Sequence, residues 1–521
     1  MPKQLQASVR PRHRYLSERI VVTAVLELTS PAHFGNGDAD EQTDLPLLVD
    51  EVDGRALITG ASLAGALRNY LREVQWGYEL PMPSRDPQSK FYREWNEVEA
   101  DLLATKLFGA HRGDDIGSQS PLIVDDALGG DIGAPAIELR DGVKIDPATN
   151  TAEHQKKYDY QLLQTGTEFD LRFEILLNDD PHENSVRKRA LALALRGLAG
   201  GEIRLGAKKR RGFGCCRVAE WTVTSYNLRQ SGDLMAWLAS GYAERDENKP
   251  HSQWKIAAEA RHVSGSDIAA LLGVTVSEAD AIDRREAFEI EAHFEIDGSM
   301  MVRSGFDEQD RGADVVHLQT RRKGENKGRP VLPGTSVAGA IRHRALRIAN
   351  TLANDDKRAW TLVGQMFGAE VESGKDPHAS RVLVDEQLIE RGHDMVQTRI
   401  KIDRFTMGTI ESALLEEAPH FGGNVRLRLA LRNPEPHETG LLLLVLKDLW
   451  LGDLPVGGEA SIGRGRLRGV GATLRSNHEH LVTISDSARD GVLAFSNQAA
   501  VARLEEYVKA FNQWAEGKDD R

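Results

Sequence analysis

The stretch TGASLAGALR at residues 59–68 returns as PGTSVAGAIR at 333–342, and this recurrence constrains the fold more than any single segment does. Its surroundings recur in the same order. Upstream lie RIVVTAVLEL and EAFEIEAHFEI, each alternating apolar and polar residues as a half-buried strand does. A glycine-containing loop follows each, SPAHFGNGDADEQTD and GSMMVRSGFDEQDRGAD. Downstream, KLFGAHRGDD is answered by QMFGAEVESG, LIVDDA by VLVDEQ, and GVKIDPAT by RIKIDRFT. The period-two runs EFDLRFEILL and NVRLRLALRN come next, then helical runs that each close on Gly-Gly. The last pair is KKRRGFGCCRV and SIGRGRLRGV. So many features in one order mark an internal duplication.

The units span about 18–225 and 286–475, joined by 226–285, with an N-terminal arm at 1–17 and a helical tail at 476–521. Each reads strand, helix, strands, helix, strand. That order predicts an α+β protein of two tandem ferredoxin-like (RRM-like) domains with insertions. The polar run ERDENKPHSQ is the expected flexible joint. Residue content is 40% hydrophobic and 28% charged, as in soluble globular proteins. The most apolar run, ETGLLLLVLKDLWLGDLPVGG, is interrupted by Lys447 and Asp448 and reads as a buried helix, so no membrane association is expected. The basic start, MPKQLQASVRPRHRYLSER, lacks the apolar stretch of a signal peptide. The two cysteines, Cys215 and Cys216, are adjacent, which suits neither a disulfide framework nor a zinc site. A cytoplasmic location is the expectation.

Net charge is −13, which excludes a surface basic all over but not a local basic groove. Two places in each unit could form one. Ser62 and Ser336 stand at the expected N-caps of helices, where unpaired N–H groups and the helix dipole favour a phosphate; equally, they are good caps and nothing more. Leu63, Leu67 and Leu71 share one face of the first helix, which should pack on a sheet. The glycine-rich loops carry Lys208, Lys209, Arg210 and Arg211 beside Phe213, expected to be exposed, and Arg464, Arg466 and Arg468 in the second unit. Glycines let a polyanion approach the backbone while cations neutralise it; a solvated charged face is the plainer reading.

These loops, following a Gly-x-Ser helix start, resemble the RAMP superfamily of CRISPR proteins. The likeness is to the backbone subunit of type III effector complexes, in the fused double-backbone form of subtype III-D. The resemblance covers both repeats. It implies that each unit grips guide RNA (crRNA) and that a thumb-like hairpin displaces one nucleotide of the guide–target duplex. It further implies that an Asp after the first strand promotes cleavage of target RNA there. The family's lysine in the helix motif is replaced by Ala64 and Ala338, leaving Arg68 and Arg342 as the expected guide contacts. QTDLPLLVDE keeps the pattern around the catalytic Asp and assigns it to Asp44; RGADVVHLQT lacks the proline and offers Asp314. Asp38, Asp40, Asp307 and Asp310 share those loops.

One carboxylate per site suits RNA cleavage, because the 2′-OH is the nucleophile once a displaced nucleotide aligns it with the next phosphate. Asp44 and Asp314 could accept a proton or hold Mg2+; the other reading is an ordinary turn residue. The thumbs should follow VKID and IKID, with Lys156 and Lys157 in the first, and Arg404, Phe405 and Met407 in the second. Wedging between bases and plain hairpin packing are both open. His33 faces Met301 across the repeats, so it reads as structural. Three functions compete: a Mg2+-dependent endoribonuclease subunit, a non-catalytic scaffold binding guide RNA and other type III subunits, and a guide-processing nuclease. The last needs a His-centred site, and no His recurs.

Overall fold

The computed structural model describes residues 15–35, 37, 44–52, 54–78, 102–109, 119–129, 136–146, 149, 151–240, 261–276, 283–304, 313–368, 378–477, 479–486 and 493–518. The joint ERDENKPHSQ and the loop acids Asp38, Asp40, Asp307 and Asp310 lie outside them.

Alternation builds each sheet. In strand Glu18–Leu28, residues Ile20, Val22, Ala24, Leu26 and Leu28 are buried and the residues between them are not. This strand pairs antiparallel with Glu168–Leu177 on one side and Cys216–Asn227 on the other, and Leu122–Val124 adds beyond Glu168–Leu177. In chain order, the fourth strand, the first, the third and the second lie side by side. The second repeat has the same order: Arg466–Ser476, Ala287–Asp297, Asn424–Arg432 and Val382–Val384. Both repeats are therefore ferredoxin-like, and the fold is α+β. Even irregularities coincide. The pairing of first and last strands slips between Ala24 and Leu26 in one repeat and between His293 and Phe294 in the other.

Two helices cover one face of each sheet. Leu63, Leu67 and Leu71 of Gly60–Trp76 join Leu191, Leu195 and Leu198 of Pro181–Ala199 over Val22, Leu26 and Phe173. In the second core, Val337, Ile341 and Ala345 of Gly334–Ala353 meet Leu441, Val445 and Leu449 of Pro436–Trp450. Each buried leucine contributes about 1.5–3 kcal/mol relative to exposure. Beyond residue 225, strand Arg261–Gly265 extends the first sheet; beyond 475, Glu479–Asp486 and Leu493–Phe495 extend the second. Helix Gln498–Ala515 lies so close to Pro436–Trp450 that a Cβ on Gly440 would sit 2.1 Å from the Tyr507 carbonyl oxygen.

Between the second and third strands of each repeat rises a hairpin: Ile137–Ile145 with Ala152–Leu163, and Gln397–Ile402 with Thr409–Ala418. They are the expected thumbs. The repeats meet through ion pairs: Arg140 Nη2 to Glu386 Oε1 at 3.0 Å, Arg204 to Asp385 at 2.6 Å, and Arg322 to Glu27 at 2.5 Å. Burial alone would pull the Arg140 guanidinium down; Glu386 and Glu138 beside it outweigh this and hold it above its ordinary value. Among the described residues, no helix is long and apolar enough to cross a membrane.

Candidate nucleic-acid interface

The Gly-x-Ser motif works first as a packing device. A Cβ on Gly60 would lie 2.2 Å from the Val124 carbonyl oxygen, and one on Gly334 would lie 2.5 Å from that of Val384. The matching valines end LIV and VLV, so only glycine lets the helix start on its strand. The expected caps are corrected here. Thr59 is the N-cap of the first helix; its Oγ1 accepts from the Ser62 N–H at 3.2 Å and donates to Ser62 Oγ at 2.9 Å. Ser62 and Ser336 lie inside the first turn, and Pro333 is the second cap, with no side-chain bond. The Gly60 N–H donates to Asp126 Oδ1 at 2.6 Å. With two of its first N–H groups satisfied and a carboxylate seated at its start, this helix end is a poor phosphate site by itself. Arg68 is half-buried and donates to the Gly109 carbonyl at 3.3 Å.

The glycine-rich loop of the first repeat carries the cations, in a tight turn over Lys209–Arg211. Lys208 adopts a left-handed conformation, with φ 52°, which sets its ammonium 3.5 Å from the Tyr160 ring centroid and 4.6 Å from that of Tyr158. Burial, and then Arg140, push its pKa down to about 8; the ring contacts favour the charged form and oppose this. Phe213, expected exposed, is fully buried against Tyr160 and Leu162, because the glycines either side turn the backbone inward. Arg211 reaches into the second repeat, donating to the Val382 carbonyl at 3.0 Å. Burial, Arg342 and Arg210 push Arg211 down to about 10. Lys209 is likewise lowered, chiefly by burial. Four cations thus crowd the joint, where a bound anion would relieve their mutual cost.

The second loop has the same backbone and different chemistry. Its tight turn, Ala460–Ile462, has no cation where the first has Lys209, Arg210 and Arg211. Glu459, with φ 62°, stands where Lys208 does. Arg464, expected at the RNA, is only 3% exposed and stands in the position of Phe213. It pairs with Glu417 at 3.0 Å and with Glu459, and donates to Gln397 Oε1 at 2.8 Å. One repeat joins loop to thumb by a cation over aromatic rings, the other by a buried ionic cluster. Arg466 remains exposed, and Arg342 is half-buried at the joint.

Asp44 and Asp314 take matching places at their thumbs. The Asp159 N–H donates to Asp44 Oδ2 at 3.0 Å, and the Glu416 N–H donates to Asp314 Oδ2 at 2.8 Å. The next residues bridge parallel to the thumb strand, Leu45 to Tyr160 and Val315 to Glu417. Both aspartates are exposed. Sequence reading missed that each meets the backbone of another acidic residue, Asp159 and Glu416; aligning KYDYQLL with LLEEAPH sets those two level. Among the described residues no group of three or more metal-ligating side chains forms. One carboxylate per site, joined at the first by Asp159, whose Oδ1 accepts from the Asp44 N–H at 2.8 Å, still suits Mg2+, which takes one or two carboxylates and completes its shell with water and phosphate. His33 is buried, its Nδ1 2.8 Å from the Gln161 carbonyl oxygen, as a structural histidine. At the second thumb's tip, Asp403 accepts from the Phe405 and Thr406 N–H groups and holds a turn on which Phe405 is 90% and Met407 78% exposed. Both side chains lie outside the packing of their own hairpin.

Ser62, Gly65, Asn69, Lys209 and Arg210 line a cleft of about 1100 Å³ that Glu289 and Arg432 of the second repeat close. The chain matches the RAMP superfamily over residues 25–217 and again over 293–468. It belongs to that superfamily and carries it twice. No curated protein matches the chain. The membership suggests a subunit of a type III CRISPR complex that acts on RNA.

Proposed function

We propose that this chain is the fused double-backbone subunit of a type III CRISPR effector, of the subtype III-D kind. It holds guide RNA in the cleft and cuts complementary target RNA at two sites, beside Asp44 and beside Asp314. The observation that carries this reading is the equivalence of the two aspartates: each is exposed, and each is tied to the second strand of a thumb. Other subunits of the complex flank it.

The thumb tip, with Phe405 and Met407 exposed, wedges against the stack and turns one target nucleotide out. Its 2′-OH then attacks the adjacent phosphorus in line, and the 5′-oxygen leaves. The carboxylate of Asp44 or Asp314 accepts the 2′-OH proton, a 2′,3′-cyclic phosphate forms, and the 5′-oxygen takes a proton from water; the same carboxylate, with Asp159 beside it at the first site, would hold Mg2+. When bound, the metal supplies charge neutralisation at the phosphoryl oxygens. Lys209 and Arg210 neutralise guide phosphates in the cleft, with Arg342 near them at the joint.

The test is a cleavage ladder on end-labelled target RNA with the assembled complex, with and without Mg2+. Asp44→Ala removes one cut and leaves its neighbour, and Asp314→Ala removes the adjacent one. Guide and target still bind the double variant, since losing carboxylates beside phosphates costs no attraction. If both single variants keep every band, the chain is the non-catalytic scaffold instead.

A further inference from the structure

The joint between the repeats is a head-to-tail contact, and such a contact leaves one unused copy of each face at the ends of the chain. The first repeat offers a basic face: Arg140, Arg204 and the turn Lys209–Arg211. The second repeat receives it with strand Val382–Val384 followed by Asp385 and Glu386, and with Gly334. The fit is close: a Cβ on Gly212 would sit 2.1 Å from the Glu386 nitrogen, and one on Gly334 2.3 Å from the Arg211 carbonyl oxygen.

The unused receiving face keeps its chemistry. Strand Leu122–Val124 is followed by Asp125 and Asp126 in place of Asp385 and Glu386, with Gly60 in place of Gly334. Asp125 is half-buried and pairs with Arg172 at 2.7 Å, while Asp126 is exposed at the helix start. Ile123 is 41% exposed, whereas its counterpart Leu383 is half-buried in the cleft. The unused offering face has lost its chemistry. Pro455 stands for Arg204, Gln397 for Arg140, and Ala460, Ser461 and Ile462 for Lys209, Arg210 and Arg211. All three turn residues are exposed, Ile462 by 53%.

We propose that the free face around Asp125, Asp126 and Ile123 docks a glycine-flanked, Lys/Arg-bearing loop of a different polypeptide, and that a second copy of this chain cannot supply it. Stacking two copies would bring an uncharged turn to the acidic face and bury its carboxylates without counterparts of Arg140, Arg204 and Arg211, which close the internal joint. The chain is then a single link between unlike neighbours. This inference rests on the joint and stands independently of whether either aspartate cuts RNA.

Sedimentation of the nuclease-treated full chain tests it. The natural chain is expected to stay monomeric. Pro455→Arg/Ile462→Arg restores the arginines that stand at 204 and 211 of the internal joint and is expected to raise self-association at least about tenfold. The gain should disappear between ~0.1 and ~1 M salt. Adding Asp125→Asn/Asp126→Asn should restore the monomer, with the same fall in melting temperature that the two changes cause in the natural chain through Arg172 and the Gly60 N–H. Should that variant fold poorly, Ile462→Arg alone gives the same reading with Pro455 kept. Salt-sensitive stacking of the natural chain overturns the proposal, and so does a folded cationic variant that remains monomeric.

Discussion

Lys208 shows how a residue's meaning depends on its neighbours. Its folded pKa of about 8 lies below the ordinary lysine value of about 10.4, so between these pH values the unfolded chain binds more protons. Its contribution to stability therefore rises as pH climbs from about 8 to about 10. Its attraction for phosphate falls over the same window, as the ammonium becomes neutral. The difference between the natural chain and Lys208→Gln isolates this. Thermal melts should converge at high pH, and guide affinities should differ most near neutrality. A difference independent of pH would mean that Lys208 acts by packing on Tyr158 and Tyr160 alone. Burial acts on the neighbouring thiols in the opposite sense, pushing Cys216 up to about 12.

At the level of the element, two glycines of one helix separate packing from access. Gly60 touches the Val124 carbonyl, whereas a Cβ on Gly65 meets nothing within 4 Å. Gly60→Ala should destabilise by about 1–3 kcal/mol through overpacking. Gly65→Ala should stabilise by about 0.5–1 kcal/mol, the ordinary gain of alanine in a helix. Because Gly65 lines the cleft, that substitution should nevertheless weaken guide binding; chemical denaturation and a binding titration read the two effects separately. The spacing of Leu63, Leu67 and Leu71 made this helix and its buried face legible in sequence. Its cap was not legible: Thr59 and Ser62 are both good cap residues, and only the backbone geometry decides between them.

Across the whole molecule, the buried cluster of Arg140, Glu138 and Glu386 fastens one repeat to the other. Arg140→Ala leaves two carboxylates buried without their cation. We expect a loss of about 3–5 kcal/mol and a single calorimetric transition that splits as the repeats uncouple. Arg217→Ala, which breaks an exposed pair with Glu27, should cost less than about 1 kcal/mol. Equal effects would mean that the joint is held by shape rather than charge. The joint also divides the basic run 208–211, which in sequence reads as one groove wall. Lys208 serves the thumb, Lys209 and Arg210 line the cleft, and Arg211 enters the second repeat.

Period-two strands, spaced leucines and an ordered duplication are local or periodic signals, and from them the sequence by itself determined the two ferredoxin-like units, their helices and the sites of the thumbs. Asp44 and Asp314 were legible because the repeat places them alike, although one copy has lost its proline. Phe213 and Arg464 were not legible, because burial depends on what lies across the fold. The aromatic residue covers Tyr160, and the arginine neutralises Glu417 and Glu459. No local pattern distinguishes a cation that faces solvent from one whose partner is far away in sequence. Which charges remain for a polyanion was decided only by tertiary structure, because desolvation and pairing act through space.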